Sequence, residues 1–161
     1  MTRFIAPLLA AAFTALPLFP AMAGNEARVD VLPGWQTETG THMAGLRIHL
    51  APGWKTYWRA PGEAGLPPVF DWSASANVDA VTVHWPVPDI FDTSGATTLG
   101  YHDEIILPVE IEPNDAQGDI QLDGALAMGI CKDICMPMQV TVSATLPHDL
   151  TNADPRITLA L

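Results

Sequence analysis

The chain has 161 residues, with 7 Lys and Arg against 18 Asp and Glu and a formal net charge of −11. An acidic surface with no basic cluster repels nucleic acid and anionic lipid, which excludes functions built on binding either polyanion. The length suits one domain, and the only two cysteines are Cys131 and Cys135.

Arg3 is the only charge before Glu26, and an apolar stretch runs from Phe4 through Phe19, broken by Pro7 and Pro17. Ala21-Met22-Ala23 then offers the small-x-small pattern of a signal-peptidase site. Residues 1–23 read as a secretory signal, cleaved before Gly24. They are too short and proline-broken to span a bilayer. The mature chain is expected in a bacterial periplasm, with no membrane insertion once the signal is removed.

Taken in order, Ala27 to Leu32 is a weakly alternating first strand, stopped by Pro33-Gly34. Gly40 to Leu50 is clearer. Leu46, Ile48 and Leu50 share one face and Arg47 and His49 the other, the period of two of a half-buried strand. After Pro52-Gly53 comes Trp54 to Trp58, aromatic and β-prone. Arg59 to Pro68, with three prolines and two glycines, predicts a long ordered loop. Val69 to Trp72 begins another strand, and Val78 to Trp85 alternates until Pro86.

Asp89 to His102 is read as a second long loop. Ile105 to Ile111 is a strand in which Pro108 argues for an edge or a bulge. Asp119 to Ile130 places Ile120, Leu122, Leu126, Met128 and Ile130 on one face, and Val140 to Leu146 alternates likewise. Roughly seven to nine short strands between Pro/Gly turns predict an all-β fold, an immunoglobulin-like antiparallel β-sandwich over residues 24–150. The tail, residues 151–161, has a helix-start signal at Asp154-Pro155 and reads as the opening of a further element cut short.

The stretch from Leu126 to Gln139, LAMGICKDICMPMQ, holds the chemistry. Cys131 and Cys135 are spaced C-x3-C in the connection between the last two strands. As a structural staple, such a short loop gains only about 2 kcal/mol, against about 3 for a fifteen-residue loop. As a redox pair, it supplies an attackable sulfur with a resolving thiol beside it. Lys132 would favour a thiolate and Asp133 would oppose it. As a metal site, Cys131 and Cys135 with Met136 and Met138 offer soft donors suited to Cu(I), although Met128 and Met138 also fit the apolar face of their strands. No other cofactor is indicated. Asp103 and Glu104, adjacent on a strand, would point to opposite faces and make no carboxylate pair.

Several blocks together resemble the N-terminal periplasmic domain of DsbD-type thiol:disulfide interchange proteins, including the branch linked to suppression of copper sensitivity. They are Pro52-Gly53-Trp54-Lys55-Thr56-Tyr57-Trp58-Arg59, Pro61-Gly62-Glu63-Ala64-Gly65-Leu66-Pro67, Trp85-Pro86-Val87-Pro88, Gly100-Tyr101, Leu107-Pro108-Val109 and Cys131-Lys132-Asp133-Ile134-Cys135-Met136-Pro137. Coverage runs from about Val29 to Leu146. The resemblance implies an immunoglobulin-like fold and a Cys131–Cys135 pair that cycles between dithiol and disulfide, in a protein-disulfide reductase role. It implies partners of two kinds, a membrane electron-transfer protein upstream and periplasmic thiol–disulfide oxidoreductases downstream. It also implies an aromatic cap over the cysteines, for which Phe91 or Tyr101 in the Ile90 to Tyr101 segment would serve, and an aromatic segment near them, matched by Tyr57 and Trp58.

Overall fold

Period-two apolar runs can bury one face only by stacking two sheets, and they do so here. The computed structural model describes residues 26–93 and 95–161; the expected signal segment, residues 1–23, lies outside them. The strands are β1 (Ala27–Gln36), β2 (His42–Leu50), β3 (Lys55–Gly62), β4 (Val69–Asp71), β5 (Ala80–Val83), β6 (Asp89–Thr93), β7 (Ala96–His102), β8 (Glu104–Glu112), β9 (Ile120–Cys131) and β10 (Cys135–Leu146), followed by a short helix α1 (Pro155–Ala160).

One sheet has the order β1-β2-β8-β5; the other runs β10-β9-β3-β7-β6, with β4 also paired to β9. The strand pairings are antiparallel. The expected immunoglobulin-like sandwich is the observed architecture. Between the sheets lie Leu46, Leu107 and Val109 from one side and Leu122, Leu126 and Leu146 from the other, all essentially buried. Each such side chain contributes about 1.5–3 kcal/mol by leaving water.

Four details differ from the sequence reading. The first strand runs on through Pro33-Gly34 to Gln36, because the register shifts between Leu32 and Trp35 and Gly34 takes φ 67° there. β3 continues through Pro61 to Gly62, where a loop was expected. Its pairing with β7 is irregular between Tyr57 and Gly62, so Pro61 sits where no ladder hydrogen bond is required of it. Asp89 to His102 is a β-hairpin, not a loop: β6 pairs β7 from Asp89↔Gly100 to Thr93↔Ala96, and Gly95 turns the chain with φ 85°.

Pro108 lies on a central strand, between β2 and β5, instead of at an edge or a bulge. Its carbonyl accepts from the His84 N–H, one residue beyond the end of β5. The carbonyl and nitrogen of an antiparallel residue point to the same side. The missing N–H therefore faces a place where the ladder has already ended.

The tail forms its helix. The Asp154 carboxylate accepts from the Arg156 N–H at 2.9 Å, and Pro155 takes the first turn. Ile157 is fully buried against Leu32 and Met43 on the outer face of the first sheet. It fills a notch at Gly45, where a Cβ would come within 2.9 Å of Ile157 Cγ1.

Candidate functional site

In the β9–β10 hairpin, Cys135 is the residue directly opposite Cys131. Directly opposed residues share a face of the sheet, and their Cα atoms are 4.1 Å apart with the sulfurs joined as a disulfide. The register also sorts the neighbours. Ile130, Met128 and Leu126 point into the core, so Cys131, Gly129 and Ala127 point outward. The disulfide thus lies on the solvent face of the second sheet, at its end.

The two sulfurs are not equivalent. Cys131 is only 1 % exposed, whereas Cys135 is exposed. What covers Cys131 is Tyr57, itself buried, whose hydroxyl lies 2.8 Å from Cys131 Sγ and 3.2 Å from Cys135 Sγ. Neither sulfur of a disulfide carries a hydrogen, so the hydroxyl donates. Burial pushes the Tyr57 phenol above its ordinary pKa, and a phenol that stays protonated keeps its donor.

Two glycines hold the ring in place. A Cβ at Gly65 would come within 2.8 Å of Tyr57 Cδ1, and one at Gly129 within 3.1 Å of Tyr57 Cδ2 and 2.7 Å of Leu66 Cβ. The turn from Pro61 to Leu66 therefore folds over Tyr57, and Gly129 gives the ring a flat floor. Thr56 ties the same strands together by donating to the Gly129 carbonyl at 2.9 Å.

Lys55 is paired with Cys131 across β3 and β9. Its ammonium leans the other way, 4.8 Å from the centroid of the Phe91 ring and 3.4 Å from Thr98 Oγ1. Phe91 in turn meets His102 edge-on at 6.2 Å.

Of the four aromatic residues singled out in the sequence, Tyr57 is the one hydrogen-bonded to the sulfurs. Trp58 alternates inward against the core, with the Arg59 guanidinium 5.0 Å from its ring. Tyr101 is a buried core residue whose hydroxyl donates to the Pro86 carbonyl at 2.8 Å, and burial pushes its pKa to about 12. Phe91 packs under Lys55. Met136 and Met138 alternate with Cys135 and fall opposite Ile130 and Met128, on the other face of the hairpin from the sulfurs. Among the described residues no cluster of three or more His, Cys, Asp or Glu side chains could hold a metal ion.

Sequence reasoning gave Gly65, Leu66 and Gly129 no role of their own, although all three lie in the stretches it quoted. Their signal was weak: two glycines at positions whose relation to Tyr57 depends on strand register.

An antiparallel β-sandwich with one exposed sulfur and one buried, hydrogen-bonded sulfur at a hairpin end is the setting in which the family match assigns a thiol:disulfide interchange domain. The chain belongs to the family of the thiol:disulfide interchange protein DsbD, N-terminal domain, whose model matches residues 28–147. Among solved structures it is similar to the N-terminal periplasmic domain of ScsB from Proteus mirabilis, at 30% identity and a TM-score of 0.65 over 88% of this chain. The match covers 53% of that structure, so the chain spans about half its length. The reduced Neisseria meningitidis DsbD N-terminal domain matches at 16% identity and a TM-score of 0.42, over 73% of this chain and 83% of that one. No curated protein matches.

Proposed function

We propose that this domain carries two electrons at a time through Cys131 and Cys135, between a membrane electron-transfer protein and oxidised thiol–disulfide oxidoreductases of the periplasm. The observation that carries the reading is the asymmetry of the pair: one exposed sulfur, and one buried sulfur with a phenol donor aimed at it.

The chemistry follows from that asymmetry. A donor thiolate attacks the accessible Cys135 Sγ. The Cys131–Cys135 bond breaks, and its electron pair goes to Cys131 Sγ as a thiolate, to which Tyr57 donates. The donor's second thiolate attacks its own sulfur in the mixed disulfide and releases Cys135. In the forward half-reaction the Cys135 thiolate attacks a partner disulfide. Cys131 then resolves that mixed disulfide, restoring the bond and leaving the partner reduced. The periplasmic setting is supported by the ScsB domain, described as periplasmic, and by the signal-like N-terminus. Among the described residues no helix is long and apolar enough to cross a membrane.

The test has two readings. Thiol trapping in defined redox buffers should give a reduction potential in the roughly −270 to −180 mV range of exchange proteins; a value below about −300 mV would mark a structural bond. Cys131→Ser should then accumulate a mixed disulfide with partners through Cys135, while Cys135→Ser should not. The reverse pattern would contradict the assigned roles.

A further inference from the structure

A trough on the outer face of the second sheet ends at Gly129 and Pro137, each two residues from a cysteine of the disulfide. Along β9 the outward residues beyond Cys131 are small: Ala127 and Ala125 form the floor, and Gly129, buried beneath Tyr57 and Leu66, closes it toward the disulfide. Leu66, Val69 and Asp71 rise on one side of it, and Pro137, Gln139 and Thr141 of β10 on the other. Three hollows of about 170, 450 and 370 Å³ follow one another along this floor. The first two share Val69, Ala127 and Gln139; the second and third share Asp71, Ala125 and Thr141. They form one channel, roughly 20 Å long at about 3.3 Å per residue from Gly129 to Asp123.

The two ends differ. The near end begins at Pro137, two residues along β10 from Cys135 and on the same face. It is apolar, with Val69 63 % and Leu66 46 % exposed. The far end carries the carboxylates of Asp71 and Asp123, with Ser73 and Ser143 beside them. The charged side chains lining the channel are these two acids.

We propose that this trough docks an extended segment of the partner thiol protein. The segment is about six residues long, with the reactive cysteine at the Cys135 end, apolar side chains against Leu66 and Val69, and a lysine or arginine at Asp71 and Asp123. The inference rests on the exchange reading, since a partner thiolate arriving at Cys135 is what brings a polypeptide to the mouth of the channel. Charge decides among other occupants. A second copy of a chain with net charge −11, an anionic lipid or a nucleic acid would each bring negative charge to the acidic end. A basic residue there neutralises it, so the trough selects partners by sequence beyond the bare disulfide.

The probe is a pair of synthetic peptides of about seven residues. Both have a terminal serine in place of the reactive cysteine and an alternating valine–threonine middle; one ends in lysine and the other in glutamate. Each is titrated into the oxidised protein and followed by amide chemical shifts. The lysine peptide should shift amides of β4, β9 and β10 between Asp123 and Gly129. The glutamate peptide should bind about tenfold more weakly, the scale of one such charge reversal. Asp71→Asn combined with Asp123→Asn should erase that difference, and Ala127→Gln, which faces solvent, should block binding while the melting curve stays unchanged. Equal binding of the two peptides, or an Ala127→Gln protein that binds as well as the parent, would overturn the proposal. The cysteine form of the lysine peptide, run beside dithiothreitol, separates the two readings. If both reduce the disulfide and the trough amides stay silent, the trough falls and exchange stands. If the serine peptide fills the trough and the cysteine peptide leaves the disulfide intact, exchange falls and the trough stands.

Discussion

The Tyr57 hydroxyl is shared between two sulfurs but favours one, at 2.8 Å from Cys131 and 3.2 Å from Cys135. A donor placed this way strengthens as charge develops on Cys131, because a hydrogen bond to an anion is about twice as strong as one to a neutral acceptor. On the exchange chemistry proposed above, such a donor favours the reduced state and the departure of Cys131 Sγ over Cys135 Sγ.

Tyr57→Phe keeps the ring and removes the donor. A net loss of about 1.5 kcal/mol, the low end for a hydrogen bond to a charged group, should lower the reduction potential by roughly 30 mV and slow reduction about tenfold. Redox-buffer titration and the rate of reduction by dithiothreitol check this. The fold should be unaffected, and an unchanged potential would remove Tyr57 from the chemistry.

Gly129→Val should do by sterics what the phenylalanine variant does by chemistry. Its Cβ would press on Leu66 Cβ at 2.7 Å and on the Tyr57 ring at 3.1 Å. Overpacking of this kind costs about 1–3 kcal/mol, and relief comes by lifting the Pro61–Leu66 turn. Cys131 in the reduced variant should then react faster with a bulky maleimide than in the parent, as mass spectrometry of timed quenches would show.

Ile157→Ala should cost about 2–5 kcal/mol in chemical unfolding, the range for truncating a buried isoleucine, because Ile157 is fully buried in the notch at Gly45. The disulfide lies on the other sheet, so its reduction potential should stay that of the parent.

The stability profile should carry an acid limb from His42. This ring is buried, and its Nε2–H donates to the Pro33 carbonyl at 2.6 Å. Desolvation by burial holds its pKa below the ordinary histidine value of about 6.5 despite the opposing pull of that carbonyl. The unfolded chain therefore binds the proton first. Stability should fall as pH drops below about 6.5, until the native ring also protonates. His148 has the opposite sign. Its hydrogen bond with Asp119 raises its pKa, so its contribution is present in acid and fades as pH rises through the raised value. Melting temperatures across pH should show a flatter acid limb in His42→Gln than in the parent.

The strands were legible wherever one face is buried and the other wet, as at Leu46, Ile48 and Leu50 or along Ile120 to Ile130. The cysteine hairpin was legible only in part: the two strands were read as far as Ile130 and from Val140, with both cysteines in the connection, whereas pairing runs on to Cys131↔Cys135 because Cys135 to Gln139 continue the ladder of β10. The β6–β7 hairpin was not. Ile90 is 69 % exposed and the Asp92–Thr97 bond is a surface contact, so its sequence carries no hydrophobic period. Pro61 and Pro108 misled because a proline rule tells where a ladder bond is missing, and only the register shows that none was needed. Tyr57 was singled out with Trp58, but which of two neighbours faces the sulfurs depends on pairing across β3 and β9, which no local pattern encodes.

The unequal exposure of the two cysteines also bears on how the reduced pair meets oxidants. Peroxide meeting the reduced protein reaches Cys135 first and turns its thiolate into a sulfenic acid. Cys131 lies directly across the hairpin, so it condenses with that group, expelling water and re-forming the disulfide before a second oxidant can drive the sulfur to the irreversible sulfinic state. On the exchange chemistry proposed above, the hairpin is thereby its own repair device: accidental oxidation returns the pair to the disulfide from which that cycle begins.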